Sequence, residues 1–277
     1  MVDHLTIGQL AERTGVQTGT LRMWEQRHDF PRAKRLPSGH RRYPESEVER
    51  VLEVVRARES GMSLGASIER ALQDPDGSGA PSIFAGLRKS RPDLAPAPVP
   101  KRLLVPISHA MEDECSARGG SAVLVGSFQR ESFYRQAEGR WRSFARTAEL
   151  AVVLGDFPES RSPKDGPVEI PIDRSHPLSR EWAIVCDGPG ASACLAGWQR
   201  PGTADDGDRV FEMLWCVEPE VVRDAARIGL ELAANQWPEL RERIPKWLDQ
   251  PAEADSSTLE RATALTNRML AYVSAAG

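Results

Sequence analysis

Seven Lys or Arg side chains fall between Thr18 and Tyr43 against two carboxylates, Glu25 and Asp29, although the 277-residue chain carries a net charge of −4. Guanidinium and ammonium groups at this density, with Trp24 and Tyr43 set among them, suit contact with a polyanion. Phosphate oxygens accept hydrogen bonds from Arg and Lys, and neighbouring polar side chains can read base edges. Only the local balance matters to a contact the width of a groove, because salt screens distant charge within about 8 Å. Gln17, Thr18 and Thr20 supply the polar groups, Arg22 and Arg27 follow them, and Arg35, His40, Arg41, Arg42 and Tyr43 form a second group. A solvated charged face is the alternative reading of such a run.

Elsewhere the sequence offers little covalent chemistry. Asp187-Gly-Pro-Gly-Ala-Ser192 is rich in glycine, but it lacks the lysine of a phosphate-cradling loop and leads into an apolar run, so a hairpin turn is expected. Cys186 and Cys194 flank that turn and could face each other across it, or could be ordinary buried cysteines. The five histidines are scattered, none at ligand spacing from a cysteine, so no metal site and no cofactor is expected. Glu112 and Asp113 are the candidates for acid–base work, and they read as helix surface, so no catalytic set is expected. Trp141, Trp182, Trp198 and Trp215 could line a pocket for a flat ligand or pack a core.

The cationic stretch needs a scaffold, and the flanking pattern provides one. Ile7, Leu10 and Ala11 have helical spacing behind a Thr6 N-cap, and Gly15 stands where a helix would end. A second helix from Thr18 turns Leu21 and Trp24 inward, which makes a helix-turn-helix. Phe30-Pro31 closes it. Arg35 to Tyr43, with a Ser38-Gly39 turn, reads as a two-stranded wing. A third helix opens at Pro44 with Val48, Val51, Leu52 and Val55 inward, and a fourth covers Ser63 to Gln73 after a break at Ser60-Gly61-Met62. The run Asp74-Pro-Asp-Gly-Ser-Gly-Ala-Pro81 has the composition of a linker.

Beyond it, Ala122–Phe128, Leu150–Leu154, Val168–Ile172, Trp182–Cys186, Ala191–Trp198 and Val210–Val217 read as strands. Helices are expected over Ile107–Arg118, Gln129–Thr147, Val221–Gln236 and Thr258–Ser274. The last has a three-and-four seam that serves either its own domain or a dimer. The fold class is therefore α+β: an N-terminal helical winged helix-turn-helix over 1–74, a linker over 75–81, a C-terminal α/β sandwich over 82–240, and a tail with its helix over 241–277. A composition of 40% hydrophobic and 27% charged residues is that of a globular protein. No apolar run is long enough for a bilayer, and Met1-Val-Asp-His lacks the character of a signal peptide. A cytoplasmic location without membrane contact is expected.

Three segments, Thr6-Ile-Gly-Gln-Leu-Ala-Glu-Arg-Thr-Gly-Val16, Thr20-Leu-Arg-Met-Trp-Glu25 and Ser38-Gly-His-Arg-Arg-Tyr43, together resemble the N-terminal domain of the MerR family of bacterial transcription regulators. The Trp-Glu-Gln-Arg-His variant is similar to the branch carrying cobalamin or other sensory domains. The resemblance implies double-stranded promoter DNA as partner, a homodimer on a palindromic operator, and an indirect effect on RNA polymerase through distorted DNA. It places Arg22, Trp24, Arg41, Arg42 and Tyr43 on the DNA backbone and Gln17, Thr18 and Thr20 nearest the bases. Family members usually continue into a long dimerisation helix, and here Asp74-Pro75 interrupts that position.

Residues 82–237 resemble the DICT sensory domain, on Leu103–Glu112, Val123-Leu-Val-Gly-Ser-Phe128, Pro177-Leu-Ser-Arg-Glu-Trp-Ala-Ile-Val185 and Ala193-Cys-Leu-Ala-Gly-Trp198. That implies sensing of a small-molecule or protein signal without an assigned ligand. The expected function is a sequence-specific DNA-binding transcription regulator whose second domain modulates operator binding. The alternatives are a second domain that docks proteins, or one that is an enzyme.

Overall fold

The computed structural model describes residues 4–35, 39–59, 62–73, 82–118, 120–174, 176–200, 206–252 and 257–276. The chain divides into two compact units, Met1–Ala80 and Pro81–Gly277. The expected linker, the Ser38 half of the wing turn and the Ser60-Gly61 break lie outside the described residues.

The first unit runs β1 (His4–Leu5), α1 (Ile7–Thr14), α2 (Thr18–His28), β2 (Lys34–Arg35), β3 (Arg41–Pro44), α3 (Ser46–Glu59) and α4 (Leu64–Gln73). A capping box starts α1: Thr6 Oγ1 accepts from the Gln9 amide at 3.2 Å, and the Gln9 side chain accepts from the Thr6 amide at 2.8 Å. Gly15 ends it at φ 71°, a left-handed conformation that costs glycine nothing. The sheet is antiparallel in the order β1-β3-β2, so the wing has a third strand, β1, that two residues were too few to announce. Leu10, Leu21, Trp24, Phe30, Tyr43, Val51, Val54, Ile68 and Ala71 form the core. On α3 the buried stripe is Val48, Val51 and Val54; Leu52 and Val55, expected inward, are only half-buried. Glu47 is 1% exposed and accepts from the Arg32 amide at 2.9 Å and from Arg50 at 2.7 Å, which ties the loop after α2 to α3.

The second unit runs α5 (Ile83–Ser90), β4 (Ala97–Pro100), α6 (Lys101–Arg118), β5 (Val123–Ser127), α7 (Glu131–Ala145), β6 (Leu150–Gly155), β7 (Val168–Pro171), β8 (Glu181–Gly188), β9 (Ala191–Gln199), β10 (Val210–Cys216), α8 (Pro219–Gln236) and α9 (Thr258–Ala276). Its mixed sheet has the order β4-β10-β9-β8-β5-β6-β7, with β5, β6 and β7 parallel and the other pairings antiparallel. Helices α6, α7 and α9 cover one face, through Leu104, Met111, Tyr134, Trp141, Phe144, Leu265 and Met269. Helices α5 and α8 cover the other. There α8 comes so close that a Cβ on Gly229 would lie 2.8 Å from Val125 Cγ1.

Several local expectations are corrected here. Helix α6 begins at Lys101, six residues before Ile107, and contains Pro106, whose missing N–H costs one helical bond while Leu104 and Met111 bury on either side. Helix α5 and β4 were not foreseen. α5 depends on Glu181, a fully buried carboxylate on β8 that accepts from the Ile83 and Phe84 amides at 3.2 and 2.5 Å. Cys186 lies opposite Ala193, and Cys194 opposite Val185 and Cys216, so the two point to opposite sides of the sheet and are ordinary buried cysteines. Glu112, expected on a helix surface, is 3% exposed and accepts from Trp141 Nε1 at 3.0 Å. Helix α9 packs on α6 of its own unit, with Tyr272 donating to Asp113 and Arg268 paired with Glu114 at 3.2 Å. No helix among the described residues is long and apolar enough to cross a membrane.

The turn after β8 is fixed by an ion pair. Asp187, 1% exposed, accepts from Arg223 of α8, whose guanidinium also donates to the carbonyls of Trp247 and Gln250. Burial pushes the Asp187 carboxyl up, against the pull of Arg223. Arg223→Met should therefore strand a buried carboxylate and cost about 3–5 kcal/mol in denaturant melts. The double change Arg223→Met with Asp187→Leu should recover most of that loss.

Candidate nucleic-acid interface

Helix α2 buries Leu21 and Trp24 and turns Gly19, Arg22 and Gln26 outward, at the i, i+3, i+7 spacing of one helical face. Arg27 is exposed beside that face, and Thr18 and Thr20 are half-buried at its margins. Gln17 precedes the helix, exposed and without a capping bond, so its side chain is uncommitted. A Cβ on Gly19 would meet nothing within 4 Å, so packing does not require glycine there. Its absent side chain lets another surface approach the first turn. Among the described residues Arg22 and Arg27 enter no ion pair.

The wing brings a second set of cations alongside. Strand β3 pairs with β2, Arg41 opposite Arg35 and Arg42 opposite Lys34. Successive side chains on a strand alternate, so Arg41 shares a face with Tyr43 and Arg42 takes the other. Arg41 Nε meets Glu25 Oε1 of α2 at 2.8 Å while its side chain stays 51% exposed. Arg42 donates to the Arg41 carbonyl at 3.0 Å, and His40 is exposed at the entry to the strand.

Two of the residues that the family resemblance places on the DNA backbone are in the core, Trp24 in keeping with its inward helical spacing. Tyr43 is 0% exposed and donates its hydroxyl to Glu25 Oε2 at 3.3 Å; burial and then Glu25 push its pKa up to about 12. Trp24 is 6% exposed and lies 6.3 Å from the Phe30 ring. Large aromatic rings fill this small core, and the Tyr43 hydroxyl is turned to Glu25. Both rings belong to the packed core of the first unit.

Two residues escaped the sequence reading. Gln26 shares the outward face with Arg22, and the helical period could have found it. Glu25 joins α2 to the wing by accepting from both Tyr43 and Arg41. Its signal was an acid standing inside a cationic run, which points to an intramolecular partner.

The four tryptophans do not converge on one pocket. Trp141 is buried in the core beside α6, and Trp182 and Trp215 pack against that same core. Trp198 pairs in register with Glu181 and Glu212 and faces the other side of the sheet. Among the described residues no three His, Cys, Asp or Glu side chains are grouped to hold a metal ion.

Comparison with known proteins agrees with this geometry. Residues 5–74 match the MerR HTH family regulatory protein domain, and residues 82–200 match DICT, the sensory domain in diguanylate cyclases and two-component systems. The HTH-type transcriptional repressor CarA of Myxococcus xanthus is 38% identical over 73 residues, which are 26% of this chain and 25% of that protein. The chain thus matches about a quarter of the length of that relative. The protein joins a MerR-type helix-turn-helix head, of the class borne by DNA-binding transcription regulators, to a DICT domain.

Proposed function

We propose that the protein is a sequence-specific, double-stranded DNA-binding transcription regulator of MerR type, and that its DICT domain senses a signal that modulates operator binding. One observation carries the first part: an outward helix face of Gly19, Arg22 and Gln26 stands beside a wing carrying Arg41 and Arg42. In this reading α2 enters the major groove. Gln17, Thr18, Thr20 and Gln26 reach base edges, while Arg22, Arg27, Arg35, His40, Arg41 and Arg42 hold phosphates or the minor groove. Promoter DNA is the direct partner, RNA polymerase is affected through it, and the place of action is the cytoplasm. The geometry of α2 and the wing favours a binding role over catalysis.

A palindromic operator calls for two copies. On α9, Leu259 and Leu270 are 77% and 61% exposed and eleven residues apart, which returns them to one helical face. We place the contact between copies there.

Arg22→Ala and Arg42→Ala should each weaken binding to specific and random duplexes alike and lower the salt slope by about one. Gln26→Ala or Gln17→Ala should instead change which sequence is preferred. Equal loss on both duplexes from every one of these changes would overturn the division of labour. Tyr43→Phe should leave duplex affinity within about twofold, since its hydroxyl is turned to Glu25; a loss as large as that of Arg42→Ala would put the ring on the phosphates after all. Leu259→Asp together with Leu270→Asp should convert a dimer to a monomer by native mass, with the helical content unchanged.

A further inference from the structure

Between α6, α7 and the β5–β8 part of the sheet lies a cavity of about 260 Å³. Protein interiors leave few voids larger than a water molecule, so a hollow of this size asks for an occupant. Pockets for drug-sized ligands run from about 300 to 1,000 Å³, so the occupant is small.

The walls describe its chemistry. Phe128, Phe133 and Trp182 line the cavity with aromatic surface. Ser108 also lines it, only 3% exposed, and its hydroxyl has no hydrogen-bond partner among the described residues. A buried hydroxyl left in that condition costs free energy that a ligand acceptor would return.

The charges that line the cavity are Lys101, Arg140 and Glu112. Glu112 is already held, by Trp141 Nε1 at 3.0 Å and by Arg140 at 3.1 Å, and burial pushes its carboxyl up toward the neutral form. His109 meets Arg140 Nη2 through Nε2 at 2.9 Å, and burial followed by that guanidinium lowers its pKa, which keeps the ring neutral. Lys101 Nζ sits 3.9 Å over the Phe133 ring and gives one of its three donors to Asp206 at 2.5 Å. The Arg209 guanidinium lies over the same ring at 5.2 Å. A cationic guest would be repelled here, and a purely apolar one would leave the Ser108 hydroxyl and the remaining Lys101 donors unused.

We infer that this cavity binds a small aromatic monocarboxylate, its ring against Phe128, Phe133 and Trp182 and its carboxylate toward Lys101 and Ser108. The assignment deepens the sensing role proposed for the DICT domain and rests on that reading for its purpose. The cavity also adjoins the contact of α6 with α9: Glu112 faces the hollow, while the next two residues, Asp113 and Glu114, hold Tyr272 and Arg268.

Calorimetric titration of the full chain with benzoate and with indole-3-acetate tests it, each beside its neutral amide. Expected is saturable one-to-one binding of at least one acid, with its amide about tenfold weaker or worse. Lys101→Met should weaken the acid by about tenfold, the loss of one charge-assisted bond. Ala137→Phe, which places a ring in the cavity, should abolish binding. If Ala137→Phe lowers the melting midpoint, Lys101→Met decides alone, since its ion-pair partner Asp206 is 62% exposed and the fold does not rest on that pair. The inference is overturned if neither acid saturates at low-millimolar concentration, if the amide binds as well as the acid, or if a folded Ala137→Phe protein still binds. Acid binding by a chain that ignores duplex DNA would leave the cavity assigned and sink the regulator. DNA binding without acid binding would do the reverse.

Discussion

A carboxylate taken out of water must be met by donors, and that requirement organises both units. Glu47 joins the loop after α2 to α3, and Glu25 joins α2 to the wing. In the second unit Glu181 holds the first turn of α5, Asp187 holds α8, and Glu169, 1% exposed, collects Arg135 and Arg161. An ion pair shielded from water is a weak guarantee of net stability, because desolvation offsets much of the attraction. Its effect is geometric. Each of these groups accepts from donors in fixed directions, and so sets an angle or a register that apolar packing would leave loose.

That also decides what could be read in advance. The first unit was legible through local signals: a Thr-to-Gln capping box, a left-handed glycine, and Leu21 and Trp24 three residues apart. Most strands of the second unit were legible as apolar runs between turns. The failures are non-local. Helix α5 has a modest pattern of its own and is completed by a carboxylate 97 or 98 residues away in sequence. Helix α6 runs through a proline because its neighbours on both sides are buried in one core. The family resemblance places Tyr43 on the DNA backbone, whereas the alternation of β3 against the core sends it inward. Residue types showed where the cations lie along the chain, and Glu25 fixes the direction of one of them, Arg41.

The pairing of Arg41 with Glu25 bears on whether the wing remains open to phosphate. With its side chain half in solvent, such a pair contributes on the order of 0–1 kcal/mol. A phosphate contact that releases counterions competes readily with an interaction of that size. Only Arg41 Nε is engaged by Glu25 in the described contact, and a guanidinium carries five N–H donors. Glu25 therefore orients the group without consuming it, much as the second ring nitrogen of a histidine ligand is held to aim the first.

Charge is unevenly distributed along the chain. The chain has a pI near 5.8 and a net charge of −4, yet seven of its cations lie between Thr18 and Tyr43. Were the same arginines spread over the whole surface, attraction to any duplex would be weak and delocalised. Concentrated on one helix and one hairpin, they act within the screening length, where their attraction survives physiological salt. The rest of the chain is net acidic, which disfavours unspecific adhesion to a polyanion. In the proposed reading, a basic patch in an acidic protein would favour one face for duplex contact, and Gln17, Thr18, Thr20 and Gln26 would need only to discriminate among duplexes already oriented by it.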